Sequence, residues 1–254
     1  MELIKRIATG SMLAVFFLSP NQGQGQEADF NNEAIWASGT FRTDYVWGIR
    51  SMADGKHYTT QDYDENEGSC IVKWSYKTGK VVDTLLTSNM AFGDARETFG
   101  GYEFSSDERF VVLTTASEGL YRHSFYANFF VYDFESDEDA RSITNFSLGK
   151  QRLAQLSPAG DKVAFVRENN IFISDLATGA EIQVTTDGVT NAIINGATDW
   201  VYEEEFGDDQ GLFWNGDGSR LAYLKFDESN VREFHMPVYG SLYPDPYTFK
   251  YPKA

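Results

Sequence analysis

Leu156-Ser157-Pro158-Ala159-Gly160-Asp161-Lys162-Val163-Ala164-Phe165-Val166, followed by Asn170-Ile171-Phe172-Ile173-Ser174-Asp175-Leu176 and Thr178-Gly179, is the stretch that decides the fold. A polar turn leads into one apolar run of strand length, a second run follows, and a Thr-Gly turn closes the unit. The same grammar returns elsewhere. Phe104-Ser105-Ser106-Asp107 leads into Phe110-Val111-Val112-Leu113 and later Phe129-Phe130-Val131-Tyr132-Asp133, and Trp214-Asn215-Gly216-Asp217-Gly218 leads into Leu221-Ala222-Tyr223-Leu224. The most worn copy has Met52-Ala53-Asp54-Gly55 before His57-Tyr58-Thr59, then Ile71-Val72-Lys73-Trp74 and Thr78-Gly79. Equivalent turn positions Met52, Ser105, Ser157 and Asn215 are 53, 52 and 58 residues apart. A four-stranded antiparallel sheet with its turns uses roughly 40 to 50 residues and cannot cover both faces alone, so such copies stack around an axis. The expected class is all-β, a partial β-propeller of about four blades. A β-sandwich of unrelated hairpins does not repeat one turn at this period. Propeller rings usually close with about four to eight blades, and the copies here begin near residue 40 with the last unfinished at Ala254, so the ring is expected to be incomplete.

Composition narrows the function. With 42% hydrophobic residues and 22 glycines among 254, the chain has the makings of a folded protein. Its formal charge of −17 repels a polyanion, which excludes nucleic acid as the expected partner. One cysteine, Cys70, forms no intrachain disulfide and is expected to be a buried thiol, and His57, His123 and His235 supply no zinc-binding spacing. No metal or cofactor is implied. Lys5 and Arg6 precede the apolar run Met12–Leu18, then Pro20 and Gly23-Gln24-Gly25, the layout of a cleavable export signal over residues 1–25. The run is far shorter than the roughly 20 residues of a membrane span. The expectation is a periplasmic or secreted protein with no membrane anchor, whose mature part runs over 26–254.

The long last interval marks an insertion between Asp187-Gly188 and Trp214 that includes Asp199-Trp200-Val201-Tyr202-Glu203-Glu204-Glu205-Phe206. Three adjacent carboxylates repel one another unless a cation relieves them. If they lie on a short helix, successive side chains diverge by about 100°, so two can approach one ammonium group while the third points elsewhere. By charge pattern alone, such a triplet is more often a solvated face.

This run resembles the double-glutamate motif of the dipeptidyl peptidase IV family, in the prolyl oligopeptidase class of serine peptidases. The resemblance continues through Leu221-Ala222-Tyr223 and Phe226 to Tyr251-Pro252-Lys253-Ala254, and back through Ser157-Pro158 and Tyr121-Arg122-His123-Ser124-Phe125 to about residue 40. It implies an eight-bladed N-terminal propeller, of which this chain holds about the first half, followed in complete members by an α/β-hydrolase domain. It also implies that Glu204 and Glu205 bind the free α-amino group of a peptide, and that Arg122 holds a substrate carbonyl oxygen. Glu203 is left a structural part. Pinning the amine at a fixed distance from the nucleophile would make the parent enzyme release dipeptides, Xaa-Pro or Xaa-Ala by resemblance. The sequence has no Gly-x-Ser-x-Gly, so the catalytic serine, aspartate and histidine are expected outside this chain, which would be inactive alone. The partner is then a peptide with a free N-terminus, with a homodimer of the complete protein a further expectation. The alternative is a stand-alone periplasmic propeller that binds a cationic ligand or a partner protein without catalysis.

Overall fold

The computed structural model describes residues 30–43, 46 and 48–251; the proposed export signal, residues 1–25, lies outside the described residues. The chain divides into two units, 1–45 and 46–254. In the first, the described part has one π-helical turn, Glu33–Ala37. Asn31 Oδ1 accepts the Ala34 N–H there.

The second unit is built from antiparallel strands. β1 (Arg50–Ser51), β2 (His57–Asp64), β3 (Gly68–Ser75) and β4 (Val81–Thr87) form a four-stranded meander. A short helix α1 (Ser88–Phe92) follows, capped by the Thr87 side chain, which accepts the Met90 N–H. β5 (Gly101–Phe104), β6 (Phe110–Gly119), β7 (Phe125–Asp133) and β8 (Arg141–Ser142) make the next meander. β9 (Gln151–Leu156), β10 (Lys162–Arg167), β11 (Asn170–Asp175) and β12 (Glu181–Gln183) make the third. The second and third are joined into one eight-stranded sheet, β7 meeting β9 through Ala127 and Gln151.

All four copies of the turn found in the sequence have the same hydrogen bonds. Met52, Ser105, Ser157 and Asn215 each donate their N–H to the carbonyl five residues on, at His57, Phe110, Lys162 and Arg220, and each accepts from the amide three residues on. That third residue has a positive φ in every copy: Gly55 (62°), Glu108 (60°), Gly160 (70°) and Gly218 (68°). Glycine takes this left-handed conformation without steric cost. The second copy uses Glu108 there, and its carboxylate accepts the Ala53 N–H of the preceding turn. Successive turns also touch through Ser106 Oγ donating to the Pro158 carbonyl.

Three apolar layers show why the strand runs are nearly continuous. Val111 and Leu113 of β6 pack with Ile71, Leu86 and Phe99, whereas Val112 packs with Val163, Phe165 and Phe172. On β10, Val163 and Phe165 face that layer, while Ala164 and Val166 face Ile171 and Leu212. Side chains alternate between faces of a strand, so a sheet covered on both sides needs apolar residues at every position. Each fully buried Val, Ile or Phe contributes roughly 1.5–3 kcal/mol. Cys70 is a buried free thiol, and burial raises its pKa.

The fourth copy departs from the expected four-stranded sheet. β13 (Ile193–Asn195) pairs with β16 (Lys225–Asp227), and β14 (Leu212–Trp214) with β15 (Leu221–Tyr223), as two short ribbons joined end to end at Leu224, which bonds Gly196 and Gly211. The cause is the insertion between β13 and β14, which carries α2 (Trp200–Phe206). A last hairpin, β17 (Glu233–Val238) with β18 (Asp245–Lys250), exposes every residue of β17.

Candidate substrate-binding site

α2 is fixed at both ends. Asp199 caps it by accepting the Tyr202 N–H at 3.0 Å. Gly207, at φ 69°, ends it with its N–H turned back to the Glu203 carbonyl. The neck of the insertion is narrow. Gly211 donates to the Gly196 carbonyl, and a Cβ on Gly196 would lie 2.8 Å from the Ile171 side chain. Aromatic rings seat the helix: Trp200 lies 4.6 Å from the ring of Tyr251, and Tyr202 meets Phe226 edge-on at 4.9 Å.

Tyr121, Arg122, His123 and Ser124 form the tip of the β6–β7 hairpin. The tip is closed by the Leu120 and Tyr121 amides, which donate to the Ser124 carbonyl. A register shift between Thr115 and Glu118, with Ala116 at φ 47°, bends the hairpin below the tip.

Helix and hairpin tip meet through two of the three glutamates. Glu203 is 1% exposed. Its Oε1 accepts the His123 N–H at 2.6 Å and the Ser124 N–H at 2.9 Å. Burial by itself raises the Glu203 carboxyl; hydrogen bonds from Ser124 and the His123 amide, with the Arg152 charge nearby, hold it below the ordinary carboxylate range. Glu204 pairs with the Arg122 guanidinium through two contacts, Nε to Oε2 at 3.0 Å and Nη2 to Oε1 at 2.8 Å. This is the parallel fork that arginine forms with a carboxylate. Glu205 is exposed, and among the described residues it has no hydrogen-bond or ion-pair partner. The structure thus brings Arg122 and Glu204 together and leaves Glu205, the next residue of α2, exposed.

Arg122 also lines a cleft of about 630 Å³, together with Arg50, Glu103, Ser124 and Asp209; Glu204 and Glu205 stand outside its lining. Arg50 lies over the Tyr102 ring, 4.2 Å from its centre. Beside the site sits a residue the sequence does not single out. Arg152 is 4% exposed, and its Nε and Nη2 have no hydrogen-bond partner among the described residues. Burial lowers its pKa, opposed by Tyr126 and by the charges of Asp209 and Glu203. Gln151-Arg152-Leu153-Ala154 has no pattern that marks the arginine as internal. Of the histidines, His57 pairs with Asp54 in the first turn and His235 bonds Thr248 on the terminal hairpin. His123 contributes its amide to Glu203. Among the described residues no group of three His, Cys, Asp or Glu side chains is placed to hold a metal, and no helix is long and apolar enough to cross a membrane.

Residues 105–254 match the model of a family described as the dipeptidyl peptidase IV (DPP IV) N-terminal region. The chain is 37% identical over 155 residues to dipeptidyl aminopeptidase B of Saccharomyces cerevisiae, covering 59% of this chain and 18% of that protein. It is 32% identical over 219 residues to the human prolyl endopeptidase FAP, covering 85% of this chain and 27% of that one. Among solved structures, dipeptidyl peptidase 4 of Porphyromonas gingivalis superposes with a TM-score of 0.75 at 43% identity, over 85% of this chain and 30% of its own. The chain spans a third or less of the length of these relatives.

Proposed function

The chain belongs to the dipeptidyl peptidase IV family, whose N-terminal region it matches, and from that premise we propose that it is the substrate-binding propeller portion of an exported serine exopeptidase. Its four repeats form the first half of an eight-bladed ring, and the catalytic triad is carried by a hydrolase domain beyond it. The parent enzyme removes dipeptides from peptides with a free N-terminus. The observation that carries this reading is the fork between Arg122 and Glu204 at the hairpin tip, with the exposed Glu205 next to Glu204 on α2.

The chemistry runs as follows. An α-amino group has a pKa near 8 and is largely an ammonium at neutral pH. Glu205 offers it a carboxylate without breaking an existing ion pair. Glu204 keeps Arg122 with one face of its carboxylate and can share the rest with the incoming cation. Arg122 then directs its remaining N–H donors toward a substrate carbonyl oxygen. Amine and carbonyl are held at two points, so the scissile bond falls a fixed number of atoms from the anchor. A substrate with an acylated N-terminus has no charge to offer these carboxylates and loses the charge-assisted hydrogen bonds that hold the free amine.

The test is turnover of a Gly-Pro chromophore by the complete gene product and by its Glu204→Ala/Glu205→Ala variant. Wild-type release of the chromophore from the free-amine substrate, lost in the variant and absent for the N-acylated substrate, is the expected result. Undiminished turnover by the double variant refutes the amine clamp, and a gene product that ends without a Gly-x-Ser-x-Gly segment refutes the enzyme.

A further inference from the structure

The Arg122 side chain is 69% exposed, against 21% for its partner Glu204. Packing therefore does not hold the guanidinium. Its position depends on the fork to Glu204 and on where the hairpin tip places the Arg122 backbone. That tip has few bonds of its own, the Leu120 and Tyr121 amides to the Ser124 carbonyl. The two amides directly after Arg122 both point away from the hairpin, to a single oxygen of Glu203.

We infer that Glu203 is a positioning residue: its buried carboxylate ties the His123 and Ser124 amides to α2 and so sets the backbone from which Arg122 reaches Glu204. The inference rests on the substrate-binding reading above and deepens it. Glu203 and Glu204 are consecutive on one short helix, so the anchor of the tip and the partner of its guanidinium move as one body. The two glutamates divide the work by direction, one grasping backbone and the next grasping side chain. A hydrogen bond to a charged acceptor is about twice as strong as one between neutral groups. Two such bonds on one oxygen fix both the distance and the orientation of the loop. Without the Glu203 carboxylate, the buried Ser124 amide and the half-buried His123 amide lose their acceptor, the tip relaxes toward solvent, and Arg122 and Glu204 no longer meet in the geometry of the fork.

The experiment uses the complete gene product with three readouts: KM and kcat for a free-amine Gly-Pro chromophore, and the rate of covalent labelling of the catalytic serine by a small fluorophosphonate that carries no amine. Glu203→Ala is expected to raise KM about tenfold or more while kcat and the labelling rate stay within about threefold of wild type. Glu203→Gln keeps a carbonyl oxygen that accepts both amides, and is expected to return KM to within about threefold of wild type. An unchanged KM in Glu203→Ala overturns the inference. So does a labelling rate that falls in step with turnover, which makes Glu203 a folding element, and so does a Gln variant no better than Ala. The Glu204→Ala/Glu205→Ala variant separates the two readings. If it loses binding while Glu203→Ala does not, only the positioning role fails; if it binds as wild type does, both fail.

Discussion

Glu228 gives the prediction that the structure specifies in most detail. Its side chain is 7% exposed. Its backbone amide is tied to the Ala192 carbonyl. Burial, with a smaller push from the negative charge of Asp199, raises its carboxyl from 4.5 to about 7, and Lys250 only partly offsets this. Lys250 is itself occupied by the Val231 carbonyl at 2.7 Å. Moving a carboxyl from 4.5 to about 7 corresponds to about 3 kcal/mol against the ionised form. The sign follows from linkage. Between these two values the folded chain keeps a proton that the unfolded chain has lost, so the Glu228 contribution to stability falls as pH rises through the window. Glu228→Gln removes the ionisation and keeps the shape. Relative to wild type, the variant is expected to gain about 2 to 3 kcal/mol more at pH 8.5 than at pH 5. Urea unfolding of the full chain at the two pH values, followed by tryptophan fluorescence, measures the difference. A gain of the same size at both pH values refutes the reasoning, because a packing effect of the substitution carries no pH dependence.

The repeat turns and the buried ion pair supply two further expectations. Gly55 and Gly160 hold the same turn position with φ of 62° and 70°, but a Cβ on Gly55 meets nothing within 4 Å, whereas one on Gly160 falls 2.5 Å from the Phe110 ring of the preceding repeat. Gly55→Ala should therefore cost only backbone strain, about 1 kcal/mol, and Gly160→Ala about 3 kcal/mol or more in urea unfolding. Equal costs would deny the close contact between repeats. Arg167, with a side chain 8% exposed, pairs with Glu181 at 2.5 Å and lies 4.0 Å from the centre of the Phe172 ring. Glu181→Ala leaves that guanidinium uncompensated and should cost about 3 kcal/mol, little changed by added salt. A loss below about 0.5 kcal/mol would show the pair to be idle.

Much of the fold was legible in the chain because its signals are local. A turn that needs a left-handed residue three positions after its first hydrogen bond advertises itself as glycine, and Gly55, Gly160 and Gly218 recur on schedule. Glu108 breaks the letter of that pattern, yet its turn has the same bonds as the others. The long last interval marked an insertion in the fourth repeat, but nothing in the short strands near Ile193 and Leu221 states how they pair around it. Gly196 and Gly211 close the neck of the insertion and both bond Leu224, the residue between β15 and β16, so the two ribbons lie along one strand line with the insertion looped out between them.

The candidate site divides in the same way. Sequence alone placed three carboxylates in a row beside Trp200, Tyr202 and Phe206, and the likeness of Tyr121-Arg122-His123-Ser124 and Glu203-Glu204-Glu205 to known motifs singled out Arg122, Glu204 and Glu205. Only the resemblance, not the residues themselves, set Glu203 apart from Glu204 and Glu205. Glu203 becomes an anchor, Glu204 an ion-pair partner and Glu205 a free carboxylate only because a hairpin tip about 80 residues earlier in the chain is carried by stacked sheets to one side of α2. A short helix turns each successive side chain by about 100°, so the direction from which that tip arrives decides which glutamate is buried under it, which meets the guanidinium, and which is left facing water.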